Sequence, residues 1–457
     1  MRARVRPGSS VGGQLSVPGD KSISHRWLLL AATASGRSEL SGLPASLDVR
    51  STASAALALL PDPQVELDAW IHMKRRNEAE VEGEPASSAG RRVAIAAAGR
   101  AALRHPQAEI DCGNSGTSMR LLAGILAACP FRTVLTGDAS LLRRPMERVA
   151  EPLRRMGAEV GTVSGRPPLV IGGGGLTGIR YALPVPSAQV KSAILLAGLA
   201  AEGETTVVES TRTRDHTERA LEHLGAPVHD AAEGGVGRVV TVRRFQHEGF
   251  AGTVPGDPSA AAFLAAAAIL THAEVSVAEV GLNPTRTRFL DVLRRMGAEA
   301  ESGVVRSEVG EPVGELGVAA GAGLHGATVT ADELPGVIDE VPVLALVAAH
   351  AGGESRFEGG GELRVKESDR LGGLAQGIRE LGGEAELRGD TLVVAGGGLR
   401  GGTTDARGDH RLAMAFVVGA LAARGPCEIT GVEWADVSFP GFLQTLRALG
   451  ATVEVGP

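Results

Sequence analysis

Basic side chains stand at the beginning of segments that are otherwise apolar, and this arrangement has the clearest chemical meaning in the sequence. Lys21 and Arg26 open an alanine- and leucine-rich run that continues to Ala34. A helix N-terminus carries a partial positive charge, so Lys or Arg in its first turn costs about 0.3–1 kcal/mol. An anionic ligand would offset that cost. The alternative is a polar turn, capped by Ser22 or Ser24, ahead of a core helix.

A glycine-rich motif at residues 111–120 (DCGNSGTSMR) indicates the same chemistry. Gly113 and Gly116 let backbone N–H groups approach a ligand at a helix start, as in an anion-binding nest. The motif is not a Walker loop, because no Gly-Lys-Ser/Thr follows. Its alternative interpretation is an Asn/Gly turn with Thr117 as the N-cap.

Five further clusters of polar and basic residues stand at helix starts. They lie at residues 143–148, 186–192, 213–218, 364–370 and 408–411. Capping or an exposed salt-bridged helix is the simpler explanation for each of them. Arg411 is the hardest to explain in this way, since it opens an apolar helix and would need a buried partner. If these starts face one another, they line an interdomain cleft suited to substrates with several phosphates and carboxylates.

Asp257 and Asp339 also stand at predicted helix starts, where N-capping explains a carboxylate. Position alone does not separate the two aspartates. Neither residue can therefore be assigned a chemical role from its place in the pattern.

The elements that must position these residues recur along the chain. The phrase Leu153-Arg-Arg-Met-Gly-Ala-Glu-Val160 returns at 293–300, and it is typical of an amphipathic helix, a glycine C-cap and a strand. Upstream of each copy lies an alanine-rich helix, apolar on nearly all sides and hence buried, followed by a short strand. These helix–strand pairs span residues 22–40, 117–135, 187–208, 258–277, 341–357 and 410–429. The sequence thus predicts six α/β units of about 70 residues each.

Composition excludes several classes of function. A chain of 457 residues is long enough for two or three domains, with a boundary near residues 253–256. The net charge of −7 argues against a nucleic-acid or membrane surface, and no apolar run reaches the length of a membrane span. The three cysteines lack the spacing of a disulfide framework or a zinc site. We expect a cytoplasmic protein without a metal, in which Trp70–Arg92 forms a surface insertion.

Taken together and in this order, the motifs closely resemble those of the 5-enolpyruvylshikimate-3-phosphate synthase family. The resemblance rests on residues 18–26, 113–120, 144–145, 187–189, 364–370 and 409–411. Members of this family join phosphoenolpyruvate to shikimate 3-phosphate and release phosphate. The resemblance implies an inside-out α/β barrel of two domains, each with three βαβαββ units. It places one domain at residues 20–253, the other at 1–19 and 254–457, and the active site between them.

The resemblance also implies roles for individual residues. Asp339 corresponds to the base toward the attacking 5-hydroxyl, while Glu367 and Lys21 correspond to the proton-transfer groups, with His410 in support. The expected phosphoenolpyruvate ligands are Lys21, Asn114, Gly116, Arg144, Gln189, Arg370 and Arg411. The expected shikimate 3-phosphate ligands are Lys21, Ser22, Arg26, Ser187, Gln189, Arg214, Asp339 and Lys366. No cofactor, metal or macromolecular partner is implied, and we expect a monomer.

Two positions depart from the family pattern. Val437 stands where many members have a Lys, and Glu362 stands where many have an Asn. Gly116 is retained, which predicts inhibition by glyphosate at the phosphoenolpyruvate site.

Two alternative functions remain. The related UDP-N-acetylglucosamine enolpyruvyl transferases carry a reactive Cys on the loop that corresponds to residues 137–148, and this chain has none there. A catalytically silent anion-binding protein would have no need of Asp339 and Glu367 together with Lys21.

Overall fold

This computed structural model describes residues 1–62, 64–72, 92–233 and 237–456. Most helices of the described residues are short and begin next to a polar residue. The α-helices are α1 (Lys21–Thr33), α2 (Leu47–Leu59), α3 (Val65–Ile71), α4 (Gly116–Leu126), α5 (Glu147–Arg155), α6 (Ala188–Gly198), α7 (His216–His223), α8 (Pro258–Leu270), α9 (Arg288–Arg295), α10 (Val341–His350), α11 (Arg370–Glu380), α12 (His410–Ala420) and α13 (Phe442–Ala448).

The strands of the described residues form six small sheets. They are β1 (Arg2–Val5), β2 (Gly13–Ser16), β3 (Ser35–Ser41), β4 (Val93–Ala98), β5 (Ile110–Asp111), β6 (Thr133–Thr136), β7 (Glu159–Val163), β8 (Arg166–Gly172), β9 (Arg180–Ala182), β10 (Glu204–Glu209), β11 (His229–Glu233), β12 (Gly237–Arg243), β13 (Ala251–Thr253), β14 (Glu274–Gly281), β15 (Glu299–Glu308), β16 (Glu311–Ala319), β17 (Thr328–Val329), β18 (Glu354–Phe357), β19 (Glu384–Arg388), β20 (Thr391–Ala395), β21 (Gly402–Asp405), β22 (Cys427–Thr430) and β23 (Val453–Gly456).

The six predicted buried helices are confirmed as α1, α4, α6, α8, α10 and α12. Every residue of α8 is buried, as its uniformly apolar composition predicts. Each of the six is followed by a strand and then by an amphipathic helix. The repeat read from the sequence therefore corresponds to a structural unit.

One pairing rule organises the sheets. The strand before a buried helix pairs in parallel with the strand after it, and a hairpin then extends the sheet in antiparallel fashion, as in the order β5-β6-β8-β7. The same order recurs as β9-β10-β12-β11 and β17-β18-β20-β19. Because the buried helix connects two parallel strands, its N-terminus lies at the same edge of every unit.

The chain departs from this rule where its first half, which contains α1–α7, meets its second half, which contains α8–α13. Strand β2 precedes α1 but pairs with β14, placing Gly13 opposite Val275, whereas β13 precedes α8 but pairs with β3, placing Ala251 opposite Glu39. Strand β1 completes the sheet of β22 and β23. The N-terminal residues therefore belong to sheets of the second half, and the chain crosses between the halves twice.

The buried apolar residues form two hydrophobic cores. One surrounds α1, α4 and α6, and the other surrounds α8, α10 and α12 together with Ala3 and Val5 of β1. Cys112, Cys129 and Cys427 are all buried in these cores without a disulfide. The division into domains 20–253 and 1–19 with 254–457 remains our proposal, and the separation of the cores supports it.

The first residue of the predicted surface insertion, Trp70, does not lie at the surface. Trp70 lies in α3, is only 2 % exposed and packs with Leu67 in the first core. Burial of so large an apolar side chain stabilises the folded protein. The start of the insertion at Trp70 is therefore wrong. Residues 73–91, which make up most of that prediction, lie outside the described residues. Within the described part of the chain, no helix combines the length and apolarity needed to cross a bilayer.

Candidate active site

A cavity of about 300 Å³ lies between the two halves of the chain, at the edge where the helix starts converge. Most of the residues proposed from the sequence share its wall. The predicted residues that line it are Lys21, Ser22, Gly116, Arg144, Ser187, Gln189, Arg214, Asp339, Lys366, Glu367 and Arg411. The other four, Arg26, Asn114, Arg370 and His410, lie behind this wall and contact its members.

The starts of α4 and α6 form one end of the cavity. Arg120 donates from Nη1 to Gln189 Oε1 at 2.5 Å, and Arg144 donates from Nη2 to Asn114 Oδ1 at 2.5 Å. A Cβ on Gly116 would lie 2.8 Å from Arg120 Nη1 and 3.1 Å from Arg144 Nη1, so glycine keeps room for both guanidinium groups. Burial and the neighbouring cations lower the pKa of Arg120 to about 9. This end of the cavity attracts anions.

Lys21, the first residue of α1, is held by a carboxylate that sequence reasoning missed. Its Nζ lies 2.9 Å from Asp48 Oδ2, and both residues are buried. Asp48 stands in the first turn of α2, where an acid is favourable in any helix, so its type and position gave no signal of a site. The contact keeps the ammonium group at the cavity wall.

Asp339 lies among cations from both halves of the chain. Arg214 donates to Asp339 Oδ2, Arg411 Nη2 lies 3.3 Å from the same oxygen, and Arg370 Nη1 lies 3.8 Å from Oδ1. Burial would raise the pKa of this carboxyl, but Arg214, Arg411, Lys366 and Arg370 hold it well below its usual range. Asp339 is therefore ionised at neutral pH, and these cations stabilise its ionised form.

Glu367 is the second carboxylate of the cavity and contacts two arginines. Arg370 donates from Nη2 to Glu367 Oε2 at 2.6 Å, and Arg144 Nη1 lies 3.7 Å from Oε1. Burial again opposes ionisation, but Arg370 and Arg144 keep the pKa of Glu367 well below its usual range. Arg370 is itself fixed by Asp409, the N-cap of α12, at 2.9 Å.

Two further cationic positions face the same carboxylates. Burial lowers the pKa of Lys366 to about 8, although Asp339 and Glu367 raise it. Arg411 donates from Nη1 to His410 Nε2 at 2.8 Å, which keeps that imidazole nitrogen unprotonated. Burial, followed by Arg411 and Lys21, lowers the pKa of His410 well below its usual range, so this imidazole is neutral.

Arg26 lies behind the cavity, in the second turn of α1, where it contacts α6 and α7. It donates from Nε to Thr217 Oγ1 at 2.8 Å, from Nη2 to Ser192 Oγ at 2.9 Å and from Nη1 to the carbonyl of Ser22 at 2.8 Å. Arg26 does not line the cavity. In this arrangement it supports Ser22, and a direct role in ligand binding remains a prediction.

The two positions that depart from the family pattern differ in their surroundings. Val437 is buried at the end of a short 3-10 turn and lies outside the cavity wall. Glu362 lines the cavity and accepts a hydrogen bond from Arg148 Nη1 of the opposite half at 2.9 Å. The carboxylate at 362 thus bridges the two halves.

The arrangement combines fixed cations with two ionised carboxylates, which suits proton transfer on an anionic substrate. In the described part of the chain, no group of three or more His, Cys, Asp or Glu side chains is placed to hold a metal ion.

Comparison with known proteins gives the site a family. The family model for EPSP synthase (3-phosphoshikimate 1-carboxyvinyltransferase) matches residues 5–446. A 3-phosphoshikimate 1-carboxyvinyltransferase of Halorhodospira halophila is 47% identical over 464 residues, which cover 99% of this chain and 97% of the relative. One of Acidithiobacillus ferrooxidans is 44% identical, with 99% of both chains covered. The solved EPSP synthase of Acinetobacter baumannii superposes with a TM-score of 0.82 at 38% identity and full coverage of both chains. The chain therefore belongs to the EPSP synthase family.

Proposed function

We propose that the cavity binds shikimate 3-phosphate and phosphoenolpyruvate together and transfers the enolpyruvyl group to the 5-hydroxyl, releasing phosphate. This is the reaction of the family to which the chain belongs. The observation that carries the assignment of the site is the presence of Asp339 and Glu367, two cation-bound carboxylates, in the wall of one cavity between the halves. A site for binding alone would need the cations but not the carboxylates.

Phosphoenolpyruvate would bind at the end formed by α4, α11 and α12. Lys21, Arg144, Arg370 and Arg411 would hold its phosphate and carboxylate, and Asn114, Gly116 and Gln189 would complete the pocket. Arg370 supports this assignment, because its Nη1 is buried without a hydrogen bond among the described residues and faces Asp339. Charge-assisted hydrogen bonds of this kind contribute about 1.5–3 kcal/mol each.

Shikimate 3-phosphate would bind between α1, α6 and the segment before α11. Ser22, Ser187, Gln189, Arg214 and Lys366 line that part of the cavity. Hydroxyl, amide and cationic groups of this kind can bind a phosphate and a carboxylate on a polyhydroxylated ring.

The reaction needs a base at the attacking hydroxyl and an acid at the methylene carbon of phosphoenolpyruvate. We assign the role of base at the hydroxyl to Asp339. We assign to Lys21 and Glu367 together the two proton transfers at the methylene carbon, donation before the attack on C2 and removal during the elimination. Protonation of the methylene carbon makes C2 cationic, the deprotonated hydroxyl attacks C2, and loss of a methyl proton with expulsion of phosphate completes the transfer. Fixed cations on the leaving phosphate lower the barrier to the last step.

The low pKa of Asp339 makes it a weak base in the free protein, and substrate binding would raise this pKa. The substrate phosphates and carboxylates compete for Arg214, Arg370 and Arg411, the same cations that stabilise the ionised Asp339. When these cations turn to the substrates, the pKa of Asp339 rises and the carboxylate becomes a better proton acceptor. The Asp339 carboxylate is thus the strongest base when both substrates are bound.

Phosphate release from phosphoenolpyruvate tests the function directly. We expect release with shikimate 3-phosphate as acceptor and none with UDP-N-acetylglucosamine. Asp339→Asn should lower kcat by about 10²–10⁴-fold, since it removes the base. Asp230→Asn is the matched control, because Asp230 pairs with Arg238 at 2.7 Å outside the cavity, and it should retain parental kcat.

Three results would contradict the proposal: release with the UDP sugar only, binding of both substrates without release, or equal losses in the two variants. Cytoplasmic location and a monomeric state remain predictions from the sequence.

A further inference from the structure

Arg286 lies where the chain crosses between the halves, outside the cavity and in contact with none of the residues assigned to the substrates. The two crossing segments run side by side, since Asp20 N donates to the carbonyl of Pro255 at 2.7 Å and Asp257 N donates to that of Pro18 at 2.8 Å. The guanidinium of Arg286 is 2 % exposed and bridges both crossings. Its Nη1 lies 2.5 Å from Asp20 Oδ2 and its Nη2 lies 2.9 Å from Asp257 Oδ1.

The two carboxylates that Arg286 bridges are helix caps. Asp20 Oδ1 accepts from Ile23 N at 2.9 Å at the start of α1, and Asp257 Oδ1 accepts from Ser259 N at 2.8 Å at the start of α8. Asp257 also accepts from the backbone N–H of Lys21 at 3.3 Å. One guanidinium therefore fixes the start of α1, where Lys21 stands, to the first helix of the other half.

A second connection runs from Arg286 toward Asp339. Its Nη2 donates to Ser259 Oγ at 2.9 Å, and Ser259 Oγ donates to the carboxylate of Glu340. Glu340 precedes α10 and follows Asp339 directly in the chain. All the polar groups in this connection are buried, so water does not compete for their hydrogen bonds.

His216 fixes the remaining side of the guanidinium. Its Nε2 lies 3.3 Å from Arg286 Nη1 and accepts from it, and its Nδ1 lies 2.7 Å from Glu311 Oε1. Since a guanidinium can only donate, Nδ1 is the ring nitrogen that donates to Glu311. The contact ties β16, which begins at Glu311, to the same cluster.

We propose that Arg286 is a positioning residue that sets Lys21 and Asp339 relative to each other across the two crossings. The inference rests on the proposed function, because it gives these two residues their roles in proton transfer. A planar guanidinium can bond two carboxylates and a hydroxyl in one plane, which the single ammonium of Lys cannot do. Since reacting groups must be placed to within about 1 Å, a change at this remote residue should slow the reaction without removing any ligand contact.

Arg286→Gln, assayed in the full chain for phosphate release with shikimate 3-phosphate, tests the proposal. We expect kcat to fall by about 100-fold, as for a 1 Å displacement of reacting groups. The KM for phosphoenolpyruvate should change by less than about threefold, because three of its four assigned cations, Arg144, Arg370 and Arg411, make no contact with Arg286 and stay in place. Arg100→Gln is the matched control: Arg100 donates from Nη1 to the carbonyl of Leu196 at 2.7 Å, away from the cavity, and its loss should leave kcat unchanged. Arg286→Lys should recover part of the loss.

The double variant Arg286→Gln/Asp257→Asn keeps the net charge of the cluster and is measured if the single variant does not fold. It too should have a low kcat, because the bridge between the crossings is missing. Parental kcat in the folded single or double variant, a raised KM with unchanged kcat, or an equal loss in Arg100→Gln would overturn the proposal. An inactive parent protein would instead refute the proposed function, so the two failures are distinguishable.

Discussion

At the scale of single residues, carboxylates at equivalent positions in the repeat differ in the contacts that they make. Asp257 and Asp339 both precede buried helices. The Asp257 side chain accepts from Ser259 N as an N-cap and pairs with Arg286, whereas Asp339 lines the cavity and contacts cations from both halves. The N-cap position of α10 is held by Glu340, whose side chain makes no capping bond. Asp257 therefore acts as a helix cap because the backbone of its own helix binds it. Asp339 is available to a substrate because cavity cations bind it instead.

Lys366 gives the site a pH dependence with a defined sign. Its pKa of about 8, lowered mainly by burial, means that the free protein carries an ammonium group below that pH and a neutral amine above it. Because only the ammonium attracts a phosphate, we expect kcat/KM for shikimate 3-phosphate to fall as the pH rises above about 8. A pH–rate profile of kcat/KM between about pH 6 and pH 10 would measure this.

Lys366→Arg supplies the control, since the guanidinium of Arg has a higher intrinsic pKa than the ammonium of Lys and stays charged near pH 8. The variant should show lower activity but no decline near pH 8. A decline at the same pH in both proteins would assign the titration to another group.

The residues that could be predicted from the sequence are those whose type conflicts with their position. Cations such as Lys21 and Arg411 at helix starts are unfavourable for an isolated helix and therefore indicate a ligand. Asp48 and Asp409 give no such indication, because an acid at a helix start is favourable and needs no ligand to explain it. The sequence around Arg286 gives no indication either, since its two carboxylate partners are 266 and 29 positions away in the chain.

At the scale of elements, the repeated phrase ends two amphipathic helices in the same way. Gly157 and Gly297 have φ of +103° and +93°, and the residue after each donates to the carbonyl five positions earlier, which completes a Schellman C-cap. The two copies differ only in what lies beyond them. A Cβ at 157 would lie 3.3 Å from the carbonyl of Gly175, but at 297 it would lie 2.4 Å from that of Gly323.

Alanine at these two glycines should therefore destabilise the protein unequally. Gly157→Ala should lower the free energy of unfolding by about 1–2 kcal/mol, the cost of a left-handed conformation for a residue with a Cβ. Gly297→Ala should cost about 1–3 kcal/mol more, because a backbone carbonyl must also shift. Urea denaturation of the two variants measures the difference. Equal losses would show that the loop at Gly323 yields without cost.

The sequence predicts the helices of this fold better than its sheets. Each buried helix is evident from a continuous apolar run of its own residues, as in Pro258–Leu270. The partners of β2 and β13 lie more than 200 residues away, and two- to four-residue strands carry little alternation of their own. The residue pattern itself therefore does not reveal the exchange of first strands between the halves. The family resemblance implies that residues 1–19 join residues 254–457, and the structure adds the strand partners.

At the scale of the whole molecule, the two halves meet across the cavity through opposite charges. Among the residues that the structure describes, three ion pairs span it: Arg214 with Asp339, Arg144 with Glu367, and Arg148 with Glu362. The first two use residues that we assign to substrates, so substrates and protein compete for them. The pair of Arg148 and Glu362 involves none of the assigned ligands and can hold the halves together both with and without substrate.

Removing this third pair should open the free protein. Arg148 and Glu362 have side chains 26% and 32% exposed, and a pair of this kind contributes up to about 1 kcal/mol, a shift of about fivefold in an opening equilibrium. We expect Glu362→Gln to increase the radius of gyration measured by X-ray scattering without substrates, and addition of both substrates to restore the parental value. Arg154→Gln, which breaks a pair with Glu147 inside α5, should change neither measurement. An unchanged radius in Glu362→Gln would mean that the other contacts between the halves, among them the crossings and the two remaining pairs, set the distance between them.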